Sequence, residues 1–351
     1  MAPPHSNVQS PEAMNAKAPL DIAVVGWHSH NEMFDAIGAD LRQAGHRIIR
    51  YAHREAFTAT PDPLAGIDIL LCVGVLPLTR ATLATASRLR AIVSAVTGVD
   101  GVDIAAATER TVVIANAQTE ENIIGMAEAT VLVMLAALYH LDGAQDRVRK
   151  GLWRPPQLKA SQLRGKTIGL LGLGKIGRET ARLLAPWGAT LQYSGRRDAD
   201  PAGLPPMQRV DLDTLIRTSD VVLVLASLNP ETRGIVSAEK LKLMKPTAIL
   251  VNTARGAIVD EAALAEALKS NAIAGAALDC FAAEPLPATS PLRGLANLIL
   301  TPHMIGHTIE AHHSLEVATR ENLELVLSGQ PPRYVVNPAV LPAWIVKWGA
   351  R

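Results

Sequence analysis

The chain has 351 residues, of which 48% are hydrophobic and 3% aromatic, and its 34 basic side chains nearly balance its 33 acidic ones. This length and hydrophobic content allow about two domains, each with its own core, and exclude a disordered chain. A net charge of +1 excludes a global electrostatic attraction to nucleic acid or to an anionic membrane, so neither is expected as a partner.

The cysteines and the N-terminus indicate a cytoplasmic protein. Cys72 and Cys280 lie in separate apolar runs, so neither a disulfide framework nor a cysteine-rich metal site is expected. Residues 1–20 lack the basic region and apolar core of a signal peptide and are predicted to form a flexible tail. The most apolar helical stretch, residues 129–138, is too short to cross a bilayer, which favours a soluble protein.

The first part of the chain alternates between strands and helices. Short apolar runs predict strands at 21–25, 47–52, 69–73, 91–95 and 112–115. This alternation is typical of a small α/β domain.

A long helix is predicted to begin at Thr119 and to end in the basic cluster Arg147, Arg149 and Lys150. Its central part is apolar all round, which is typical of a helix buried between domains or in a subunit interface. The basic cluster is interpreted as solvated charge at a helix C-terminus, which the helix dipole favours, rather than as a nucleic-acid contact.

A second alternation follows residue 164. Its strands are predicted at 167–171, 190–193, 221–225, 248–252, 275–278 and 298–300. Six strands with helices between most of them predict a doubly wound parallel sheet, whose ligands bind beyond the carboxyl ends of the strands. From about Ile309 the chain turns helical again, and this last segment is expected to pack back on the first domain.

The predicted fold is therefore α/β, with two domains that each contain a doubly wound parallel sheet. The second domain is expected over residues 119–307. The first domain is expected to be discontinuous, over residues 21–118 and 308–351.

A glycine-rich motif, Gly172-Leu-Gly174-Lys-Ile-Gly177, follows an apolar strand and opens a helix. The first glycine permits a tight turn, the second lets the backbone approach a pyrophosphate, and the third lets helix and strand pack closely. The motif alone is weak because three glycines at this spacing also arise by chance. The strand before it, the helix after it and the strand that follows favour dinucleotide binding.

The residues at the end of the next strand distinguish an NAD site from an NADP site. NAD sites place Asp or Glu there, whereas this chain has Tyr193-Ser194-Gly195-Arg196-Arg197. Ser194 can donate a hydrogen bond and Arg196 can make charge-assisted bonds to a 2′-phosphate. NADP(H) is therefore the expected coenzyme. NAD(H) is the alternative, and solvated loop arginines are the competing interpretation.

Three polar residues, Arg255, Glu284 and His303, are predicted at or just beyond the carboxyl ends of separate strands in the second domain. Reduction of a 2-oxo acid requires that a carboxylate is held, a carbonyl polarised and a proton delivered as hydride arrives. Arg255 can do the first two, His303 the third, and Glu284 can orient the imidazole and stabilise its charge. Asp279, at another strand end, either accepts a bond from the nicotinamide carboxamide or caps local backbone.

These segments resemble the D-isomer-specific 2-hydroxyacid dehydrogenase family over about residues 21–338. The resemblance rests on GLLGLGKIGRETA, VNTARGAIVDEAALAEAL, GAALDCFAAEPLP, LILTPHMIGHT, AIVSAVTGVDGVDIAAATER and NAQTEENIIGMAE. It implies that Arg255 binds substrate, that His303 is the acid/base and that Glu284 is its partner.

The same resemblance implies contacts in both domains. Val73, Gly74 and Val75 would offer backbone N–H groups to the substrate carboxylate, with Gly98 lining the cleft nearby. It also implies two Rossmann-like domains, of which residues 119–307 form the dinucleotide-binding domain and residues 21–118 and 308–351 the substrate domain. Hinge closure and a homodimer joined through the nucleotide domains are implied as well. The coenzyme contacts expected from the motif, the strand end and the resemblance are Gly172, Gly174, Lys175, Ile176, Gly177, Ser194, Arg196, Arg197, Thr253, Ala254, Asp279 and Gly306.

Within the family, the stretch from Tyr193 to Arg196 is similar to NADPH-dependent glyoxylate/hydroxypyruvate reductases, so reduction of a small 2-oxo acid to the D-2-hydroxy acid is expected. Ser227 departs from the proline that many relatives have. Met304 and Ile305 follow His303, and at the second of these two positions a smaller residue is common in the family. Retention of Glu284 argues against the formate dehydrogenase branch, which has Gln there. The chain is also too short for the regulatory domain of long phosphoglycerate dehydrogenases.

Other functions are weaker alternatives. A metal site is not expected, because none of His28, His30, His307, His312 and His313 has a known ligand spacing. A non-catalytic dinucleotide sensor or corepressor would keep the fold without needing the polar triad. A methyltransferase would share the glycine-rich turn but does not need Arg255, Glu284 and His303. A dehydrogenase for a bulkier 2-oxo acid would need all three residues and is the alternative within the family.

Overall fold

The structure is a computed structural model that describes residues 18–155, 160–196 and 202–349. The described chain forms two compact units, of which the first takes the residues up to Glu120 and those from Ile309 onward. The second unit is Glu121–Thr308. The expected boundaries, 118/119 and 307/308, lie within two residues of this division. Most of the predicted tail, residues 1–17, lies outside the described residues.

Strands and helices alternate along most of the chain. The strands are β1 Asp21–Val25, β2 Arg47–Tyr51, β3 Ile69–Cys72, β4 Ala91–Ser94, β5 Val113–Ala115, β6 Thr167–Leu171, β7 Thr190–Ser194, β8 Met207–Arg209, β9 Val221–Val224, β10 Ile249–Asn252, β11 Gly275–Leu278 and β12 Leu298–Leu300. The α-helices are α1 Asn31–Gln43, α2 Arg54–Ala59, α3 Arg80–Ala84, α4 Ile104–Glu109, α5 Glu120–Leu138, α6 Leu141–Arg149, α7 Lys175–Leu184, α8 Leu212–Thr218, α9 Ala238–Leu241, α10 Glu261–Lys269, α11 Ile309–Leu327 and α12 Leu341–Trp348. The predicted α/β class is confirmed.

The first unit is built on a five-stranded parallel sheet in the order β2-β1-β3-β4-β5. Alternate residues of β3 point to opposite faces, so Ile69 belongs to the core cluster that includes Trp344, and Leu70 to the cluster that includes Phe57. Because both faces of such a strand are covered, neither face needs polar side chains, which explains the unbroken apolar runs in the sequence.

The C-terminal segment completes the first unit. Trp344 of α12 is fully buried, and its indole N–H donates to the carbonyl oxygen of Arg90 at 2.8 Å. The first unit is thus made from both parts of the chain that flank the second unit.

The second unit contains a seven-stranded parallel sheet in the order β12-β11-β10-β9-β6-β7-β8. The prediction of six strands was wrong by one, because β8 has only three residues, two of them exposed, and no apolar run marks it. The chain runs outward from β6 through β7 and β8, and from β9 through β12 in the opposite direction. This reversal creates a crevice at the carboxyl ends of β6 and β9, where such sheets bind ligands.

The single long helix predicted from Thr119 is two helices, since His140 adopts a left-handed φ of +51° between α5 and α6. Within the described part of the chain, α5 is the one helix long and apolar enough to cross a membrane. It is nonetheless a core helix, because Met134 and Leu138 pack against β6 residues such as Leu170. Its apolar part is longer than the stretch 129–138 that the sequence marked as most apolar.

Candidate active site

The glycine-rich turn joins β6 to α7. Gly172 has a φ of +99°, a conformation that favours glycine, and its N–H donates to the carbonyl oxygen of Ser194 at 2.9 Å. A Cβ atom on Gly172 would lie 2.6 Å from Cα of Ala226, and one on Gly177 would lie 2.6 Å from the carbonyl oxygen of Gly172. Turn, strand and helix are therefore packed as closely as glycine allows.

Gly174 is different from its two partners because no heavy atom lies within 4 Å of the place where its Cβ would be. It is the N-cap of α7, so Lys175 and Ile176 form the first turn, where backbone N–H groups lack intrahelical acceptors. Open space next to a helix N-terminus fits a pyrophosphate. The residues of this turn therefore suit the dinucleotide that the motif predicts.

The end of β7 carries the residues expected to select the coenzyme. Ser194 is the last residue of β7, and Arg196 forms an ion pair with Glu231 of 3.3 Å between Nη1 and Oε2. Arg209 of β8 donates from Nη2 to the carbonyl oxygen of Gly195 at 2.9 Å. The predicted contact Arg197 lies outside the described residues.

Glu231 and Arg209 were missed by the sequence reasoning. Arg209 sits on the strand that no pattern marked, and the acidic Glu231 lies in the loop after β9, where no motif pointed to it. Both are found only when β7, β8 and β9 are placed in one sheet.

Arg255 lies on the loop that follows β10. Two other residues predicted to touch the coenzyme, Thr253 and Ala254, precede it, and the Thr253 hydroxyl lies 2.8 Å from that of Thr130 on α5. The Arg255 guanidinium donates from Nη1 to the carbonyl oxygen of Ala254 at 2.7 Å. A Cβ on Gly256 would lie 1.9 Å from the carbonyl carbon of Phe281, so this loop touches the segment that leads to Glu284.

His303 and Glu284 form a close pair. Nδ1 of His303 lies 2.9 Å from both carboxylate oxygens of Glu284, and Oε1 also accepts the N–H of Phe281 at 2.9 Å. His303 has a φ of +53°, which is uncommon for a residue other than glycine and is typical of functional sites whose surroundings enforce it. The loop after β12 thus holds the imidazole against the carboxylate.

Opposing effects set the pKa of Glu284. Burial alone would raise it, but the hydrogen bonds from His303 and from the Phe281 N–H, with the charges of His303 and Arg255, lower the pKa below its ordinary value. Glu284 is therefore a carboxylate at neutral pH and can accept a hydrogen bond from Nδ1 of His303.

Asp279 holds the loop that carries His303. Its Oδ1 accepts hydrogen bonds from the Thr301 hydroxyl at 2.7 Å and from the N–H groups of Met304 and Ile305 at 3.1 and 3.2 Å. Burial raises the pKa of Asp279 despite these bonds. Of its two predicted roles, capping of local backbone is thus present, and the contact with the nicotinamide carboxamide stays a prediction.

Gly306 ends this loop against α5. A Cβ there would lie 2.1 Å from Sδ of Met126, and a Cβ on Gly125 would lie 3.2 Å from the carbonyl oxygen of Gly306. Two glycines therefore let α5 support the loop of His303. The expected coenzyme contact of Gly306 stays a prediction.

The residues expected to bind the substrate carboxylate lie together in the first unit. Val73, Gly74 and Val75 follow β3, and a Cβ on Gly74 would lie 1.9 Å from the carbonyl oxygen of Gly98. The carbonyl oxygen of Gly74 accepts the N–H of Gly101 at 2.9 Å. The two loops are thus held backbone to backbone, and their role in substrate binding stays a prediction.

Two of the described histidines outside the triad lie close together. Rings of His30 and His312 lie 5.9 Å apart between centroids. Over the three described ranges, no group of three or more His, Cys, Asp or Glu side chains could hold a metal ion.

The triad is brought to one edge of one sheet. Arg255 follows β10, Glu284 follows β11 and His303 follows β12, and these neighbouring strands are parallel. Because Arg255 lowers the pKa of Glu284 by its charge, the three groups are electrostatically connected. Together they offer a fixed cation, a proton donor and a carboxylate that supports the donor.

The sequence is similar to known dehydrogenases. The family model "D-isomer specific 2-hydroxyacid dehydrogenase, NAD binding domain" matches residues 131–305. The chain is 38% identical to a glyoxylate reductase of Thermofilum pendens over 281 residues, which cover 78% of this chain and 82% of that protein. It spans about half the length of the curated D-3-phosphoglycerate dehydrogenases that it matches.

Solved structures show the same architecture. An NADPH-dependent glyoxylate/hydroxypyruvate reductase of Sinorhizobium meliloti, in complex with NADP and malonate, has a TM-score of 0.80 and 26% identity, covering 92% of this chain and 98% of that one. An NAD-dependent formate dehydrogenase of Staphylococcus aureus, in complex with NAD, has a TM-score of 0.78 and 29% identity, covering 89% and 96%. Similar folds therefore hold either coenzyme.

Proposed function

Because the chain belongs to the D-isomer-specific 2-hydroxyacid dehydrogenase family, we propose that it reduces a small 2-oxo acid, such as glyoxylate or hydroxypyruvate, with NADPH. The product is the D-2-hydroxy acid where a stereocentre forms. The observation that carries the proposal is the contact of 2.9 Å between His303 and Glu284, on the sheet edge that also bears Arg255.

The triad divides the chemistry of the reduction. When bound, the nicotinamide supplies the hydride that the carbonyl carbon accepts. Arg255 pairs with the substrate carboxylate and polarises the carbonyl oxygen. His303 donates its Nε2 proton to that oxygen and is left neutral, since Nδ1 remains hydrogen-bonded to Glu284. Glu284 fixes the orientation of the ring through its contact with Nδ1.

The preference for NADPH rests on the end of β7. Ser194 occupies the position at which an acidic residue would repel a 2′-phosphate. Arg196 can bind the phosphate in place of its exposed ion-pair partner Glu231. A charge-assisted bond to phosphate is stronger than a surface ion pair, so the phosphate displaces Glu231. Arg196→Ala should therefore raise the KM for NADPH about 10- to 100-fold and leave the KM for NADH nearly unchanged.

The proposal is tested by a spectrophotometric panel of 2-oxo acids against NADPH and NADH. We expect turnover of glyoxylate and hydroxypyruvate with NADPH, a loss of roughly 100- to 10,000-fold in His303→Ala, and mainly weaker substrate binding in Arg255→Ala. Wild-type rates in both variants would refute the assignment of the triad. Coenzyme binding without any turnover would favour the dinucleotide sensor.

A dehydrogenase for a bulkier 2-oxo acid is the second candidate. Met304, directly after His303, is apolar and about half exposed, so an apolar substrate side chain could pack on it. The same panel separates the two candidates, because this one requires faster turnover of aromatic or branched 2-oxo acids than of glyoxylate.

We further propose a cytoplasmic homodimer. No residue of α6 is buried, and along α6 and the segment after it Val148 and Trp153 are 68% and 77% exposed, which suits a second copy of this chain. Cys72 and Cys280 are free and buried, as expected in a reducing compartment. Light scattering should give twice the monomer mass for the wild type and the monomer mass for Val148→Glu with Trp153→Glu. A wild-type monomer would refute the dimer.

A further inference from the structure

Asn252, the last residue of β10, is fully buried and makes hydrogen bonds across the loop that follows. Its Nδ2 donates to the carbonyl oxygen of Arg255 at 2.9 Å, and its Oδ1 accepts the N–H of Ala254 at 3.1 Å. One side-chain amide therefore fixes the backbone on both sides of the peptide bond that leads into Arg255.

The backbone of Asn252 makes a second set of contacts. Its carbonyl oxygen accepts the N–H of Asp279 at 3.0 Å and lies 3.7 Å from Sγ of Cys280, which donates to it. Burial raises the pKa of the Cys280 thiol well above its ordinary value, so this donor keeps its proton. Asn252 thus lies between the loop of Arg255 and the strand end that holds the loop of His303.

The loop is also limited from the other side. Arg255 is extended, with φ −146° and ψ 137°, and the next residue is Gly256, whose missing Cβ lets the backbone touch Phe281. Between Asn252 and Gly256 the main chain of Arg255 has little freedom. The direction in which its side chain leaves the loop is therefore set by these two residues.

We propose that Asn252 is a positioning residue for Arg255, an inference that rests on the proposed function. It does not touch the substrate. Its amide holds the Arg255 backbone so that the guanidinium is already placed when a substrate carboxylate arrives. Loss of this placement weakens carboxylate binding much more than it weakens coenzyme binding, because a misplacement of about 1 Å at a reacting group costs up to about 100-fold.

The test uses Asn252→Asp, which keeps the side-chain shape and the acceptor for Ala254. It replaces the Nδ2 donor by an oxygen that faces the Arg255 carbonyl, where no hydrogen bond can form unless the acid is protonated. We expect the KM for glyoxylate and the dissociation constant of oxalate from the NADP complex to rise at least about tenfold. The dissociation constant of NADPH should change less than about threefold.

A matched control comes from the first unit. Asn337 is buried, and its amide likewise joins two backbone groups, accepting the N–H of Ile114 at 2.8 Å and donating to the carbonyl oxygen of Val112 at 3.0 Å. Asn337→Asp should lower the Tm as Asn252→Asp does, without changing oxalate affinity. An equal loss of oxalate affinity in both variants would show a general effect of instability and overturn the proposal.

A double-mutant cycle with Arg255→Ala decides between positioning and a merely structural role. If Asn252 acts through Arg255, its replacement changes oxalate binding less than about twofold once the guanidinium is gone. Full additivity would refute the proposal. Asn252→Ser, which removes both amide bonds without adding a carboxyl group, goes through the same cycle if the Asp variant does not fold. Absence of wild-type turnover with every 2-oxo acid is a separate outcome that removes the proposed function instead.

Discussion

Glu284→Gln removes one charge from the pair with His303 and leaves the shape of the site almost unchanged. Glutamine can still accept the N–H of Phe281, which Oε1 of Glu284 accepts at 2.9 Å. The contact with Nδ1 of His303, now 2.9 Å to each carboxylate oxygen, becomes a bond to a neutral amide. The perturbation is therefore electrostatic, at the group that supports the proton donor.

The size of the effect follows from the strengths of the two kinds of hydrogen bond. A bond to a charged group contributes about 1.5–3 kcal/mol and a neutral one about 0.5–1.5 kcal/mol. The loss is about 1–1.5 kcal/mol, and the side chains of His303 and Glu284 are 38% and 35% exposed, which favours the lower value. Since about 1.36 kcal/mol corresponds to a tenfold change in rate, a loss of about 1 kcal/mol in the transition state slows the reduction about fivefold.

The assay is the rate of 2-oxo acid reduction at neutral pH. We expect kcat to fall about fivefold in Glu284→Gln. The dissociation constant of NADPH should be nearly unchanged, because the side-chain contacts of Glu284 are with His303 and with the N–H of Phe281. An unchanged kcat would refute the electrostatic argument.

Glu261→Gln is the matched control for this experiment. Glu261 also accepts a backbone N–H of the same segment, that of Ala282, and does not form a hydrogen bond with His303 in the described structure. This variant should keep the wild-type kcat. A loss equal to that of Glu284→Gln would show that any change in the segment lowers the rate.

Two further predictions concern stability. Gly256→Ala would place a Cβ 1.9 Å from the backbone of Phe281 and should lower the free energy of unfolding by about 3 kcal/mol or more. Gly294→Ala is the control, because no heavy atom lies within 4 Å of its Cβ position, and it should change the free energy of unfolding little. Urea denaturation measures both variants. The lowered pKa of Glu284 means that its ionisation stabilises the fold above the ordinary value of 4.5 and that this stabilisation is lost as the pH falls. Between about pH 5 and 3 the Tm of Glu284→Gln should therefore decline less than that of the wild type, and an equal decline would contradict the assignment.

Parallel strands made most of the fold predictable. β1, β6, β11 and β12 have the bounds that their apolar runs predict, because both faces of such strands are covered. Since the strands are parallel, their carboxyl ends share one edge of the sheet. Ligands bind at that edge in such folds, so the sequence alone was enough to single out the triad. The family assignment is confirmed by the comparisons.

What the sequence did not show depends on contacts between distant residues. The short β8 is an exposed edge strand, so Arg209 could not be placed beside Gly195. The break at His140 has no glycine or proline to mark it, because an ordinary residue adopts the left-handed conformation there. Asn252 looked like the unremarkable end of an apolar run, and its two hydrogen bonds become visible only with the loop in place.

The division of the first unit between both ends of the chain has a consequence for biosynthesis. The second unit, Glu121–Thr308, is continuous and is fully translated before α11 and α12 exist. The sheet that α12 covers must wait for Trp344, which is translated after the whole of the second unit. We therefore expect the nucleotide-binding half to fold first during synthesis, and the other half to close only once α12 has emerged from the ribosome.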